Sequence, residues 1–164
     1  AGFLQPCLLP KPLEQVGGYV ILWSSVAFIS LGMALTAMWL RDRVAGVSAT
    51  RAVTWLAAKQ FAPCLLGAAT LTVVLVRTAP ESVWLLPGLW QLFFSQGVFA
   101  ACRLLPKATV LVPCFYGLTG VLVLIFAREN EALAPWSMAL PFGVGQLLSA
   151  VVLYWTVERT HEKN

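Results

Sequence analysis

The sequence predicts an all-α fold, a polytopic transmembrane helix bundle of about five spans, and three observations carry that prediction. Of 164 residues, 59% are apolar and only 11% are charged, against roughly 45–50% and about 25% in an ordinary soluble domain. So much apolar surface also excludes a disordered chain. The charges are segregated as well: the runs 15–40, 60–76, 82–102, 108–127 and 132–157, of 26, 17, 21, 20 and 26 residues, hold no Asp, Glu, Lys or Arg. A bilayer's hydrocarbon core is about 30 Å thick and takes about 17–25 helical residues to cross. Each run is long enough, the second only just.

Residues 1–17 carry Pro6, Pro10 and Pro12 and read as an extended exterior segment. No basic stretch precedes an apolar one there, so no secretory signal is expected. The first span covers about 18–40 and stops at Arg41, Asp42 and Arg43. The next segment, 44–60, sets Val47, Trp55 and Leu56 between Arg51 and Lys59. It reads either as an amphipathic helix lying at the interface or as an inward extension of the second span. That span covers about 61–76 and is bounded by Arg77, Pro80 and Glu81. The third, about 83–102, ends at Arg103, Pro106 and Lys107, and the fourth, about 108–127, closes on Arg128, Glu129 and Glu131. The fifth, about 136–157, leads into a polar tail, 158–164.

Lysine and arginine fix the orientation. Arg41, Arg43, Arg51, Lys59, Arg103, Lys107, Arg159 and Lys163 fall on one side, and only Lys11, Arg77 and Arg128 on the other. Eight against three places the C-terminal tail in the cytoplasm and Ala1 outside. Trp39, Trp84, Trp136, Tyr154 and Trp155 fall near span ends, where amphipathic rings favour the headgroup layer.

Several functions are disfavoured by composition. The net charge of +4 is spread along the chain, with no concentrated patch for nucleic acid. The one histidine, His161, lies in the polar tail. It leaves a haem without its usual ligand and a catalytic dyad or triad without its base. A zinc site of His and Cys fails on ligand count and spacing. All seven carboxylates, Glu14, Asp42, Glu81, Glu129, Glu131, Glu158 and Glu162, lie outside the five runs. An ion-coupled transporter usually holds such a group at mid-membrane. No cofactor, metal or nucleic acid is expected.

What the spans do contain is suited to packing. Small residues recur at Ser30 and Ala34, Gly97 and Ala101, Gly117 and Gly120, and Gly143 and Gly145. Such positions let helix backbones approach closely, either within this bundle or against a partner. A polar set comprises Gln91, Ser95 and Gln96 in the third span and Gln146 and Ser149 in the fifth. Gln91 and Ser95 share a helix face, as do Gln146 and Ser149. Amides are costly in hydrocarbon unless they are paired. The set therefore reads as a structural hydrogen-bond clamp or as a small polar pocket between spans three and five. Pro63, Pro87, Pro113 and Pro141 fall in or near the first turns of spans two to five, where proline is tolerated. The last two lie deeper and free a carbonyl if they kink their helices. Cys64, Cys102 and Cys114 fall toward the cytoplasmic ends of their spans. Disulfides are disfavoured on that side, and the thiols read as small apolar fillers. Cys7 stands alone on the other side.

The run Leu85-Leu86-Pro87-Gly88-Leu89-Trp90-Gln91-Leu92-Phe93-Phe94, followed by Gly97-Val98-Phe99-Ala100, resembles a family of uncharacterised, small bacterial multi-pass proteins with an "LPG-W-LL-YG-GV" signature. Phe61-Ala62-Pro63-Cys64-Leu65-Leu66-Gly67-Ala68-Ala69-Thr70-Leu71-Thr72 is similar to that family's "LP-L-GA-LT" segment. Pro113 to Gly120 and Phe142 to Gln146 fit more loosely. The likeness covers about 51–159. Ser95 and Gln96 depart from its Tyr–Gly pair, and Gln146 stands where a histidine is frequent. The resemblance implies a six-span architecture, with one helix before the first span seen here, and a bacterial inner membrane. It carries over no catalytic residue.

The functional expectation is a non-enzymatic membrane protein surrounded by lipid, an accessory or scaffold subunit that packs against other membrane subunits. The alternative is a channel, transporter or sensor for a small neutral or lipophilic ligand, using the polar set between spans three and five.

Overall fold

A chain segment in oil must satisfy its own backbone hydrogen bonds, and an apolar run of about 20 residues does so as a helix. The computed structural model describes Gly2, Gln5 and residues 15–45, 48–102, 107–129 and 131–161, of which the side chains at 34–35, 37–38, 41–45, 48–54, 107, 153 and 156–161 lie outside the description. The described residues form an all-α bundle without strands. In order, its helices are α1 (Val16–Ala45), α2 (Ser48–Thr78), α3 (Leu86–Cys102), α4 (Leu111–Phe126) and α5 (Pro135–His161). Short 3₁₀ turns, Pro80–Leu85 and Lys107–Val110, lead into α3 and α4. Among the described residues, five stretches are long and apolar enough to cross a membrane: Val16–Met33, Trp55–Thr78, Pro80–Cys102, Ala108–Phe126 and Pro135–Val152.

Three helices are longer than a membrane is thick. At 1.5 Å per residue, the 30 residues of α1 span about 45 Å, the 31 of α2 about 46 Å and the 27 of α5 about 40 Å. The segment 48–60 is continuous with the second span in one helix. The 1–17 segment is described only at Gly2, Gln5 and 15–17. Helix α1 already includes Val16 and Gly17, and Gln5 is buried. The tail at 162–164 and the turn at 103–106 lie outside the described residues.

Helix α3 is the hub, touching each of the other four. Its Trp90 ring stacks on Tyr19 of α1, with centroids 6.4 Å apart, and the Trp90 indole N–H donates to Thr72 Oγ1 of α2 at 2.8 Å. One turn on, Phe94 meets Phe61 of α2 at 5.3 Å, Tyr116 of α4 at 4.7 Å and Phe142 of α5 at 5.5 Å. Those three contacts are edge-to-face, the arrangement the ring quadrupoles favour. Glycine brings α3 against α4: a Cβ built on Gly88 stands 2.9 Å from the Gly120 carbonyl oxygen, and one on Gly120 stands 3.0 Å from that of Gly88. Only residues without a side chain fit there.

The outside is as apolar as the inside. Phe28 is 74% exposed, Phe126 73% and Leu147 69%. Exposed apolar area on this scale is foreign to a water-soluble monomer and ordinary for a helix bundle in lipid.

Candidate functional site

Lipid gives helices no hydrophobic reason to associate with one another, so close packing and interhelical hydrogen bonds must do it. The polar groups inside the bundle show how. Pro141 has no N–H, so the Ser137 carbonyl, four residues earlier in α5, loses its helical donor. Gln91 of α3 supplies the replacement: its Nε2 donates to Ser137 O at 2.9 Å, with the Gln91 side chain fully buried. One turn along α3, Ser95 Oγ donates to Pro113 O of α4 at 2.7 Å. These two side chains tie α3 to α5 and to α4 respectively.

A second tie lies at the end of the bundle where α5 begins. Gln5, 1% exposed, donates from Nε2 to Leu133 O at 2.7 Å and accepts from the Trp23 indole N–H through Oε1 at 3.0 Å. One glutamine thereby joins the N-terminal segment, α1 and the turn before α5. Tyr19, Trp23, Leu133 and Met138 form the apolar cluster around it, with Trp84, Trp90 and Phe142 against its edge. Among the described residues, two buried polar atoms in this region and beside it have no hydrogen-bond partner: Gln91 Oε1 and Tyr116 OH.

The rest of the polar set does not gather into one pocket between spans three and five. Gln146 is exposed on α5, and Gln96 is exposed on α3. Ser149 is half-buried and bonds within its own helix, Oγ to Gly145 O at 2.8 Å. Gln96 instead lines an open cleft of about 590 Å³ with Gln60, Phe99 and Ala100, and Gln60 Oε1 has no hydrogen-bond partner.

The small residues divide in the same way. Gly97 and Ala101 are buried, and a Cβ on Gly97 meets the Phe61 ring of α2 at 2.5 Å. Gly117 abuts Ser95 Oγ, Gly120 abuts Gly88, and Gly145 receives the Tyr116 ring on its bare backbone. Gly143, by contrast, has nothing within 4 Å of where a Cβ would stand, and Ser30 is exposed. The Ala34 side chain lies outside the described residues.

Cys64 is half-buried, Cys102 buried and Cys114 exposed, all three as free thiols; Cys7 lies outside the described residues. Among the described residues, no group of three or more His, Cys, Asp and Glu stands close enough to hold a metal ion.

Sequence reasoning missed Gln5, Trp23, Thr72 and Ser137, whose roles depend on distant partners, and Gly88, which it read as part of a motif. One signal was present. A proline seven residues into the fifth helix announces an orphan carbonyl at Ser137, and Gln91 was the buried amide needing a partner.

No protein-family model matches the chain, and comparison with curated proteins and with solved structures found no match for it.

Proposed function

We propose that this chain is a non-enzymatic integral membrane protein acting through helix contacts, as an accessory or scaffold subunit of a larger complex in a bacterial inner membrane. The observation that carries the reading is where the buried amide and hydroxyl are directed. Gln91 and Ser95 bond to backbone carbonyls of α5 and α4, so they hold helices together instead of facing a space that a substrate would occupy. The apolar exterior offers neighbouring helices a surface to meet. The excess of Lys and Arg on one side supports a cytoplasmic C-terminus and an exterior N-terminal segment.

Native mass spectrometry of gently extracted membranes tests this proposal. A stoichiometric membrane subunit leaving the bilayer with the chain is the expected result. A lone monomer, with no other subunit recovered, contradicts it.

The ligand-binding alternative keeps one support, the unpartnered Oε1 of Gln91, whose Nε2 is bonded to Ser137 O. It predicts that Gln91→Leu abolishes stabilisation by a small neutral ligand while Gln146→Leu leaves it unchanged. The scaffold reading predicts no such ligand.

A further inference from the structure

The seam between α2 and α3 is closed by rings set on glycines, Phe93 against Gly67 and Phe61 against Gly97. Beside the second contact the helices part, and the cleft of about 590 Å³ opens, with Gln60, Gln96, Phe99 and Ala100 in its lining. Among the described residues, neither amide makes a hydrogen bond. Gln60 Oε1 is turned inward and buried, which leaves Nε2 as the end toward the opening, and Gln96 is exposed. Two amide donors thus share one recess, and a buried polar side chain left without a partner calls for a group from outside the chain.

Depth says which group reaches it. Lys59, next to Gln60, sets its ammonium 5.7 Å from the Trp55 ring centre, a pairing of cation and amphipathic ring suited to the membrane–water boundary. The apolar stretch Trp55–Thr78 has 24 residues, about 36 Å at 1.5 Å per residue, against a hydrocarbon core of about 30 Å. Gln60 lies five residues into that stretch, so it stands within about one helical turn of the core's edge. Gln96 lies six residues before Cys102, where the next apolar stretch ends, at a similar level. At that edge the phosphate and ester oxygens of phospholipids are the acceptors at hand. Lys59, and in the sequence Arg103 three residues after Ala100, favour an anionic headgroup. A helix fits less well, because helices pack by ridges along their length, whereas this recess is about one turn high and the seam beyond it is closed.

We infer that the cleft binds an anionic phospholipid, with the Gln60 and Gln96 amides donating to its phosphate and ester oxygens and Phe99 against its first acyl carbons. The inference rests on the chain's place in a membrane and not on the scaffold reading, so its failure leaves that reading standing.

The full chain, stripped of lipid in mild detergent, is titrated with phosphatidylglycerol, with the diacylglycerol of the same acyl chains, and with water-soluble glycerol phosphate. Native mass spectrometry counts bound lipid while the unfolding midpoint is followed. Phosphatidylglycerol stays bound and raises the midpoint, and the other two leave it unchanged. Gln60→Leu and Gln96→Leu each weaken phosphatidylglycerol binding roughly tenfold, the scale of a hydrogen bond to a charged group. Their midpoints without lipid stay at or above the wild-type value, since neither amide has a bond within the described chain to lose. Equal stabilisation by diacylglycerol overturns the inference, because acyl packing alone would then account for it, and so does equal stabilisation by glycerol phosphate. Unchanged phosphatidylglycerol binding in both variants overturns it as well. A lower lipid-free midpoint in both variants assigns the amides to packing within the chain and overturns the site. Loss of a co-purifying membrane subunit in Gln96→Leu, with lipid binding unchanged, gives the cleft to a partner helix instead.

Discussion

Pro141 removes the N–H that would close the helical bond to Ser137 O, and the Gln91 amide closes it from the neighbouring helix at 2.9 Å. The pair therefore behaves as one unit. Gln91→Leu leaves a buried carbonyl without a partner and should cost about 1–3 kcal/mol, read as a lower unfolding midpoint in detergent. In a Pro141→Ala background the helix regains its own N–H, so the same Gln91→Leu change should cost little. Equal losses in both backgrounds would contradict the assignment. Glycines give a similar contrast. Gly88→Ala forces a methyl to within 2.6 Å of Leu124 and 2.9 Å of the Gly120 carbonyl, an overpacking expected to cost about 1–3 kcal/mol. Gly32→Ala enters open space on α1 and should be neutral, or stabilising by up to about 1 kcal/mol from helix propensity. At this scale the sequence was only half legible. Residue type marked Gln91, Ser95, Gly97, Gly117, Gly120 and Gly145 as packing positions, because amides and glycines are costly or weak in a lipid-facing helix without a reason. It did not distinguish them from Gln146 and Gly143, since which face of α5 meets the bundle is decided by neighbours about 20 to 50 residues away.

The elements themselves were nearly all legible. Charge-free length specifies a span with little help from tertiary context, and each of the five runs lies, but for one to three terminal residues, within a helix or its leading 3₁₀ turn. The exception was 44–60, where Arg51 and Lys59 made an interfacial helix and an extension of the second span equally consistent with the pattern. In the structure 48–60 runs unbroken into the second span, because Ser48–Thr78 has no glycine or proline before Pro63 to break it. The N-terminal segment was the less legible part. Its prolines point to an extended chain, yet Gln5 is held between Trp23 and Leu133. That contact assigns Gln5 a role at the level of α1, whose buried side chains among the described residues are Tyr19 and Trp23. Gln5→Ala should remove both hydrogen bonds and loosen α1 from the turn before α5. Limited proteolysis of detergent-solubilised protein would then cut between the first two helices sooner than in the wild type, and an unchanged cleavage rate would contradict the pin.

Across the whole molecule, length is distributed unevenly. Successive spans alternate in direction, so the C-terminal end of α1, the N-terminal end of α2 and the C-terminal end of α5 extend on one side. That side carries Arg41, Arg43, Arg51 and Arg159. The extra turns therefore lie on the side where we propose the cytoplasm on the positive-inside rule. A membrane-impermeant reagent should label a cysteine placed at Glu129 in intact cells and one placed at Arg159 only after lysis; the reverse pattern would invert the topology. All of this depends on lipid covering Phe28, Phe126 and Leu147, which the bundle leaves largely exposed. Alkaline carbonate extraction measures that dependence most directly. The chain should remain in the membrane pellet with integral proteins, and its release into the supernatant as a dispersed polypeptide would contradict the account.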